Sequence, residues 1–220
     1  MAKIVFYSAQ TGNRGFIPCI KDQMINDFDY YFIHDSHPEA EDNKGWNYIN
    51  VKNKFTNFTD CKRQRLIKMT PKQFFPDADY FIWVDCKFYL SKDFYNLCLN
   101  IVNEEKPDFM VCRHQNRFSL EQELQYAQDI KEIPIDNLNK VENIYSSSDV
   151  SFFSTDTCWL IRKNTEKNDA IGKAWFVHCY ENFTDQVRDQ LTLPLCVDES
   201  YLNLNHSIKE LENMSFTLHI

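Results

Sequence analysis

Glycine is scarce in this chain, with four residues in 220. Only Gly12 and Gly15 lie close together, and their spacing fits neither the G-x-G-x-x-G fingerprint nor a Walker loop. No Gly-x-Ser-x-Gly elbow is present, which argues against a serine hydrolase of the α/β type. The six histidines include no H-E-x-x-H spacing, which argues against a zinc protease. Eight cysteines contain no Cys-x-x-Cys pair, so structural zinc is not indicated. A basic surplus is also missing: the formal charge is −8, the opposite of what a general nucleic-acid binder needs. No apolar run approaches the length of a membrane span. Ile4 to Tyr7, behind one lysine, is too short for the core of a signal peptide. Internal repeats, low-complexity tracts and Pro/Gly-rich linkers are absent as well.

What remains is a globular composition, 43% hydrophobic and 15% aromatic, in a chain long enough to bury one core. One domain over residues 1–220 is expected. The cysteines lie mostly in strand-like or apolar positions, which reads as reduced, buried thiols of a cytoplasmic protein. Asn57, Asn182, Asn205 and Asn213 head Asn-x-Ser/Thr triplets, which carry little weight without a secretion signal.

Apolar runs alternate with amphipathic ones. Strands are expected at Lys3–Ser8, Asp29–His34, Tyr80–Asp85, Asp108–Cys112 and Thr157–Arg162, and a last one at Phe216–Ile220. Helices are expected at Asp60–Met69, from Ser91 to about Asn103, and at Ser119–Asp129, Thr165–Tyr180 and Asp185–Leu193. Ser119-Leu120-Glu121-Gln122 reads as a capping box. Such alternation predicts an α/β fold with a mixed, mostly parallel sheet sandwiched between helices.

The most informative stretch is Asp79-Tyr80-Phe81-Ile82-Trp83-Val84-Asp85. A buried-strand composition stops at a carboxylate, where open α/β sheets bind ligands. Such an acid suits a hard cation or a ligand donor, and equally an ordinary turn. Lys62-Arg63-Gln64-Arg65-Leu66-Ile67-Lys68 concentrates four cations. Arg65 and Lys68 share a helix face with Lys62, suited to a diphosphate or simply to solvent. Gln10-Thr11-Gly12-Asn13-Arg14-Gly15 follows the first strand and could line a nucleotide or be a plain turn. His114 and Arg117 follow another strand edge and suit sugar hydroxyls, or equally a polar loop that leads into a helix cap. In Arg188-Asp189-Gln190, the carboxylate of Asp189 is a candidate general base or acceptor-hydroxyl contact, or simply half of an Arg–Asp pair on a helix surface. His206 is a candidate partner of Asp85 in a metal site, although a lone histidine is more often structural.

In order and spacing, these residues resemble a nucleotide-sugar-dependent glycosyltransferase of the GT-A type. Arg65-x-x-Lys68, Phe75-Pro76 and Asp79-Tyr80-x-Ile82-Trp83-x-Asp85 carry most of the likeness. His114-x-x-Arg117, Leu160-Ile161-Arg162, Trp175 and Arg188-Asp189-Gln190 continue it, over residues 60 to 195. The chain also resembles the N-terminal transferase domains of large chlorella-virus glycosylation enzymes. That likeness implies a viral protein in host cytoplasm and leaves room for fusion to further domains.

The resemblance implies transfer of a hexosyl or deoxyhexosyl group from a nucleoside-diphosphate sugar, UDP-linked by preference, to a glycan or protein-glycan hydroxyl. It implies donor contacts at Tyr7, Ser8, Gln10, Thr11, Asp35, Arg65, Lys68 and Lys87. Acceptor or sugar contacts fall at His114, Arg117, Trp159 and Arg188. Catalytic roles go to Asp85 and Asp189, and a Mn²⁺ or Mg²⁺ ion to Asp85 and His206. One departure stands out. The usual Asp-x-Asp motif is Asp85-Cys86-Lys87 here, so its second carboxylate is a lysine, which could meet phosphate directly. Asp77-Ala78-Asp79 spells the motif but precedes the strand. A binding domain without turnover and a nucleotidyltransferase are the competing classes. The latter would need a better phosphate loop than Gln10–Gly15.

Overall fold

Strand β1 (Ile4–Gln10) shows why the sheet lies in the middle of the molecule. Its seven residues are all buried, and they alternate. Ile4 and Phe6 join one apolar cluster, while Val5, Tyr7 and Ala9 join another on the opposite face. A strand covered on both sides must be apolar throughout, as its sequence is. The computed structural model describes residues 2–12, 17–35, 44–130, 133–180 and 188–217.

β2 (Phe28–His34) and β3 (Asn47–Asn50) follow, then helix α1 (Asp60–Met69) and β4 (Tyr80–Val84). Next come the short β5 (Phe88–Leu90), α2 (Lys92–Asn100) with a π-helical turn at Ile101–Glu105, β6 (Phe109–Arg113), α3 (Leu120–Asp129) and α4 (Ile135–Ser146). β7 (Thr155–Lys163), α5 (Glu166–Tyr180), α6 (Asp189–Thr192), α7 (Ile208–Asn213) and β8 (Ser215–Thr217) complete the described order. The main sheet runs β3-β2-β1-β4-β7-β6. β3, β2, β1 and β4 are mutually parallel, and β7 alone runs against its neighbours β4 and β6. This is a single α/β domain with a mixed, mostly parallel sheet between helices.

α2 and α7 cover one face with Phe94, Tyr95, Cys98 and Leu211; α1 and α5 cover the other with Ile67, Met69, Ile171 and Trp175. The chain leaves β1 for β2 on one side and returns to β4 on the other, so the order reverses between β1 and β4. Ligands of open α/β sheets bind at such a reversal.

Several predicted elements differ in the structure. The tail strand pairs with β5 in a separate two-stranded sheet rather than extending the main one. Residues 218–220, and residues 185–187 of the predicted helix 185–193, lie outside the described residues. So do Asn13, Arg14 and Gly15 of the first loop. All eight cysteines are free thiols, but only Cys98, Cys112, Cys158 and Cys179 are buried; Cys19, Cys61, Cys86 and Cys196 are half-buried. Among the described residues, no helix is long and apolar enough to cross a membrane.

Candidate active site

α1 delivers the first charges. Thr59 caps its N-terminus by accepting from the Lys62 amide, and its C-terminal residues Leu66 to Met69 are buried. Burying that turn forces Lys68 inward, although lysine is rarely enclosed without a partner. The partner is Asp189, at the start of α6. Its Oδ2 accepts from Lys68 Nζ at 2.6 Å, Thr157 Oγ1 at 2.8 Å and Arg65 at 2.9 Å. Lys68 also donates to Thr157 at 3.1 Å and lies 3.7 Å from Asp85.

Burial alone would raise the pKa of Asp189. The charges of Arg65 and Lys68, with hydrogen bonds from Lys68 and Thr157, overcome that and hold it well below the usual carboxylate range. This corrects the general-base expectation for Asp189, because a carboxylate stabilised this strongly has little affinity for a proton. Its role here is to hold the cations of α1 in place.

Around this ion cluster lies a cleft of about 300 Å³ at the carboxyl end of β4. Arg65, Lys68, Asp85, Lys87, His114, Arg117, Arg188 and Asp189 line it as sequence reasoning anticipated, together with Tyr126, Asp156, Thr157, Cys158 and Gln190. Asp156 and Thr157 escaped that reasoning for a topological reason. β7 is antiparallel, so its first residues lie beside the last residues of β4. Val84 pairs with Trp159, and the Asp85 amide donates to the Cys158 carbonyl at 2.9 Å. A parallel strand would have sent them to the far edge. A strand opening on Thr-Asp-Thr was the only available signal.

Asp85 accepts from Trp83 Nε1 at 2.8 Å, which fixes its carboxylate at the rim. Lys87 lines the cleft two residues on, past the turn in which the Phe88 amide donates to the Asp85 carbonyl. Partial enclosure by the cleft wall would push the ammonium of the otherwise exposed Lys87 down, but the carboxylates of Asp85 and Asp156 outweigh it and raise its pKa. Across the cleft, the buried Glu123 holds two arginines. Arg188 Nε donates to it at 2.8 Å, and Arg117 pairs with its other oxygen. Both guanidiniums also approach the Tyr126 ring, Arg117 at 4.0 Å and Arg188 at 5.1 Å from its centre. His114 Nδ1 accepts from the amides of Asn116 and Arg117, both at 3.1 Å. That leaves Nε2 protonated in the neutral ring. Burial, and then the nearby Arg117, lower its pKa further.

Other expected residues lie elsewhere. Tyr7 is fully enclosed, with its hydroxyl donating to the Lys68 carbonyl at 2.9 Å and its ring edge-on to Trp83. Ser8 is buried and donates to the Val84 carbonyl. Neither lines the cleft, and both hydroxyls are taken up by backbone carbonyls, so both are corrected to structural roles. Trp159 is corrected likewise: it is 0% exposed and packs edge-on against Phe94, leaving no face for a sugar. His206 does not line the cleft. Its Nε2 lies 2.8 Å from Glu105 and its Nδ1 3.3 Å from Glu210. Lys62 turns instead to the rings of Phe58 and Tyr180.

Gln10, Thr11 and Asp35 gather at the adjoining ends of β1 and β2, but do not line the 300 Å³ cleft. There the Gly12 amide donates to Asp35 at 2.9 Å, and Asp35 pairs with Arg63 at 2.9 Å. Gly12 has a φ of +79°, and a Cβ there would collide with Asp60. Asp79, the end of the other acidic triplet, lies at the opposite end of β4 and accepts from the Lys3 amide at 2.7 Å.

The donor set around Asp85 does not fit a divalent cation. Its Oδ1 faces Trp83 and Lys68, Asp156 accepts from the Cys158 amide at 3.0 Å, and Asp189 is taken by three donors. Among the described residues, no three His, Cys, Asp or Glu side chains gather as a ligand set.

A strand order that reverses beside β1, with a polar cleft at the strand ends, is the arrangement of open α/β ligand-binding folds, and comparison with solved structures places it in the GT-A glycosyltransferase fold class. The galactosyltransferase LgtC, solved with donor and acceptor sugar analogues, shares this fold at a TM-score of 0.50 and 10% identity. The match covers 91% of this chain and 72% of that one. The chain belongs to the TOD1/MUCI70 glycosyltransferase-like domain family, whose model matches residues 28–216. A glycosyltransferase involved in glycosylating the major capsid of PBCV-1 aligns at a TM-score of 0.47 and 11% identity, over 92% of this chain and 82% of that chain. No curated protein matches the sequence significantly. Family and fold together support a glycosyl-transfer role.

Proposed function

We propose that the protein transfers a sugar from a nucleoside-diphosphate sugar, UDP-linked by preference, to a hydroxyl of a glycan or protein-linked glycan. One observation carries this reading. Arg65, Lys68, Lys87, Arg117 and Arg188 converge on a single cleft with three aspartates, in a protein whose overall charge is −8. A cationic pocket in an acidic molecule suits a doubly charged diphosphate. During transfer the bond from C1 of the sugar to the phosphate oxygen breaks, and its electron pair stays on that oxygen. The acceptor oxygen bonds to C1 and its proton is released to water. The charge that develops on the phosphate is what the arginines and lysines are positioned to stabilise.

The donor diphosphate belongs between Arg65, Lys68 and Lys87. The Nε2–H of His114 and the guanidiniums of Arg117 and Arg188 suit sugar hydroxyls. A second, open hollow of about 660 Å³ adjoins the cleft and shares Arg117 and Tyr126 with it. Its walls include Asn116, Gln122 and Gln125, whose amides suit a polyhydroxylated acceptor. Gln10, Thr11 and Asp35 are assigned to the nucleoside end, beside the nearby strand ends.

Thermal unfolding with UDP, GDP or CMP tests the reading. A nucleotide at 100 times its dissociation constant adds about 2.7 kcal/mol of stability, so the midpoint rises measurably for the right one. Release of UDP from a UDP-sugar then distinguishes turnover from binding alone. No shift with any of the three nucleotides contradicts the proposal.

A further inference from the structure

Resting on that reading, we propose that the diphosphate is bound without a divalent cation, and that Lys87 with Lys68 and Arg65 takes the cation's place. Four observations converge on this.

The first is position. Lys87 stands at the second acidic position of an Asp-x-Asp triplet that begins with Asp85, and it lines the cleft beside Arg65 and Lys68. Among the described residues its ammonium makes no ion pair, and it lies 5.1 Å from the centre of the Phe88 ring. It is therefore held near the cleft, and its hydrogen-bonding capacity is left for a ligand.

The second is the state of the acids. Asp189 accepts three hydrogen bonds from Lys68, Thr157 and Arg65. Asp156 accepts from a backbone amide, and Asp85 from the Trp83 indole. A magnesium ion is held near-octahedrally by one or two carboxylates with phosphates and water, and here Asp189 Oδ2 and one oxygen each of Asp85 and Asp156 already face protein donors.

The third is the local field. A metal ion at Asp85 would share that carboxylate with Lys68, 3.7 Å away, under the charges of Lys87 and Arg65. Like charges this close repel strongly outside bulk water.

The fourth is donor chemistry. Arg65 offers a planar fork matched to phosphate oxygens, while Lys68 and Lys87 supply compact ammonium charges. Asp189 anchors Arg65 and Lys68 from behind, so two of the three cations are preorganised before the ligand arrives.

Calorimetric titration of UDP, GDP and CMP, in EDTA and again in Mn²⁺, decides the matter. The best nucleotide is expected to bind with the same dissociation constant in both, within about twofold. Lys87→Ala is expected to weaken binding at least tenfold in EDTA. Because Lys87 is exposed, the variant should fold normally, which its unfolding midpoint checks. Lys87→Asp is expected to lose binding in EDTA and to regain some with Mn²⁺. Wild-type binding that vanishes in EDTA and returns with Mn²⁺ overturns this inference but leaves the proposed function standing. Full affinity in Lys87→Ala overturns the role of Lys87. No nucleotide binding under either condition removes both proposals together.

Discussion

At the scale of single residues, the Lys68–Asp189 pair sets the character of the site. Both are enclosed, and their ion pair, with Arg65 beside it, offsets the cost of burying the two charges. Asp189→Asn leaves Lys68 buried with Asp85 at 3.7 Å as its nearest carboxylate. The expected cost is about 3 kcal/mol, measured by urea unfolding. The pH dependence follows from the lowered pKa. The Asp189 contribution is complete above the unfolded-state value of about 3.9 and fades as the pH falls below it. The gap between wild type and variant should therefore stay constant from pH 5 to 8 and narrow below about pH 4. A gap that widens in acid would contradict the assignment. Half of this pair could be read from sequence. Arg65 and Lys68 share a helix face by spacing alone, and Asp85 ends a strand. Asp189 lies 121 residues from Lys68, and no local pattern announces that they meet. The aromatic expectations failed for a related reason. Trp159 and Tyr7 are as suited to a core as to a sugar face, and only burial decides between them.

At the scale of elements, the placement of α1 matters most, because it carries Arg65 and Lys68. Its last turn is held from the side by Arg162, which donates to the Met69 carbonyl at 2.9 Å and to the Lys68 carbonyl. A guanidinium at a helix C-terminus satisfies its orphan carbonyls and complements the dipole. α5 approaches the same turn closely. A Cβ at Gly172 would collide with the Met69 carbonyl oxygen, so the two helices touch only because residue 172 has no side chain. Gly172→Ala is expected to cost about 2 kcal/mol or more and to weaken nucleotide binding, as α1 shifts against the cleft. Unchanged unfolding and unchanged UDP affinity would show that this contact does not set the position of α1. α1 was legible to the residue, since Asp60–Met69 was expected and observed. α3 was legible to within its cap: Ser119–Asp129 was expected, and the helix spans Leu120–Asp129 behind the capping box of Ser119 and Gln122. Local chemistry determines such elements. β3, β5 and α7 were missed because they are short, and α4 because it begins after Pro134 with no side-chain cap to announce it. The reversed direction of β7 was missed because strand polarity is a property of pairing, which sequence periodicity does not contain.

At the scale of the whole molecule, the two apolar faces of the sheet fix the layers, and the reversal of strand order beside β1 fixes the edge where the cleft opens. Alternating strands and helices made the α/β class readable. The cleft itself was less so, because it draws on α1, β4, β7, α6 and the loops after β6. Its charge is local and opposes that of the molecule, so net composition could not reveal it. The central claim is that this cleft grips a nucleotide diphosphate between α1 and the turn after β4. A crystal structure of the protein with UDP at saturating concentration tests it most directly. The account predicts the two phosphates within hydrogen-bonding distance of Arg65, Lys68 and Lys87, with the uridine toward Asp35. Phosphates bound at another surface, or an empty cleft at a concentration where calorimetry reports saturation, would contradict it.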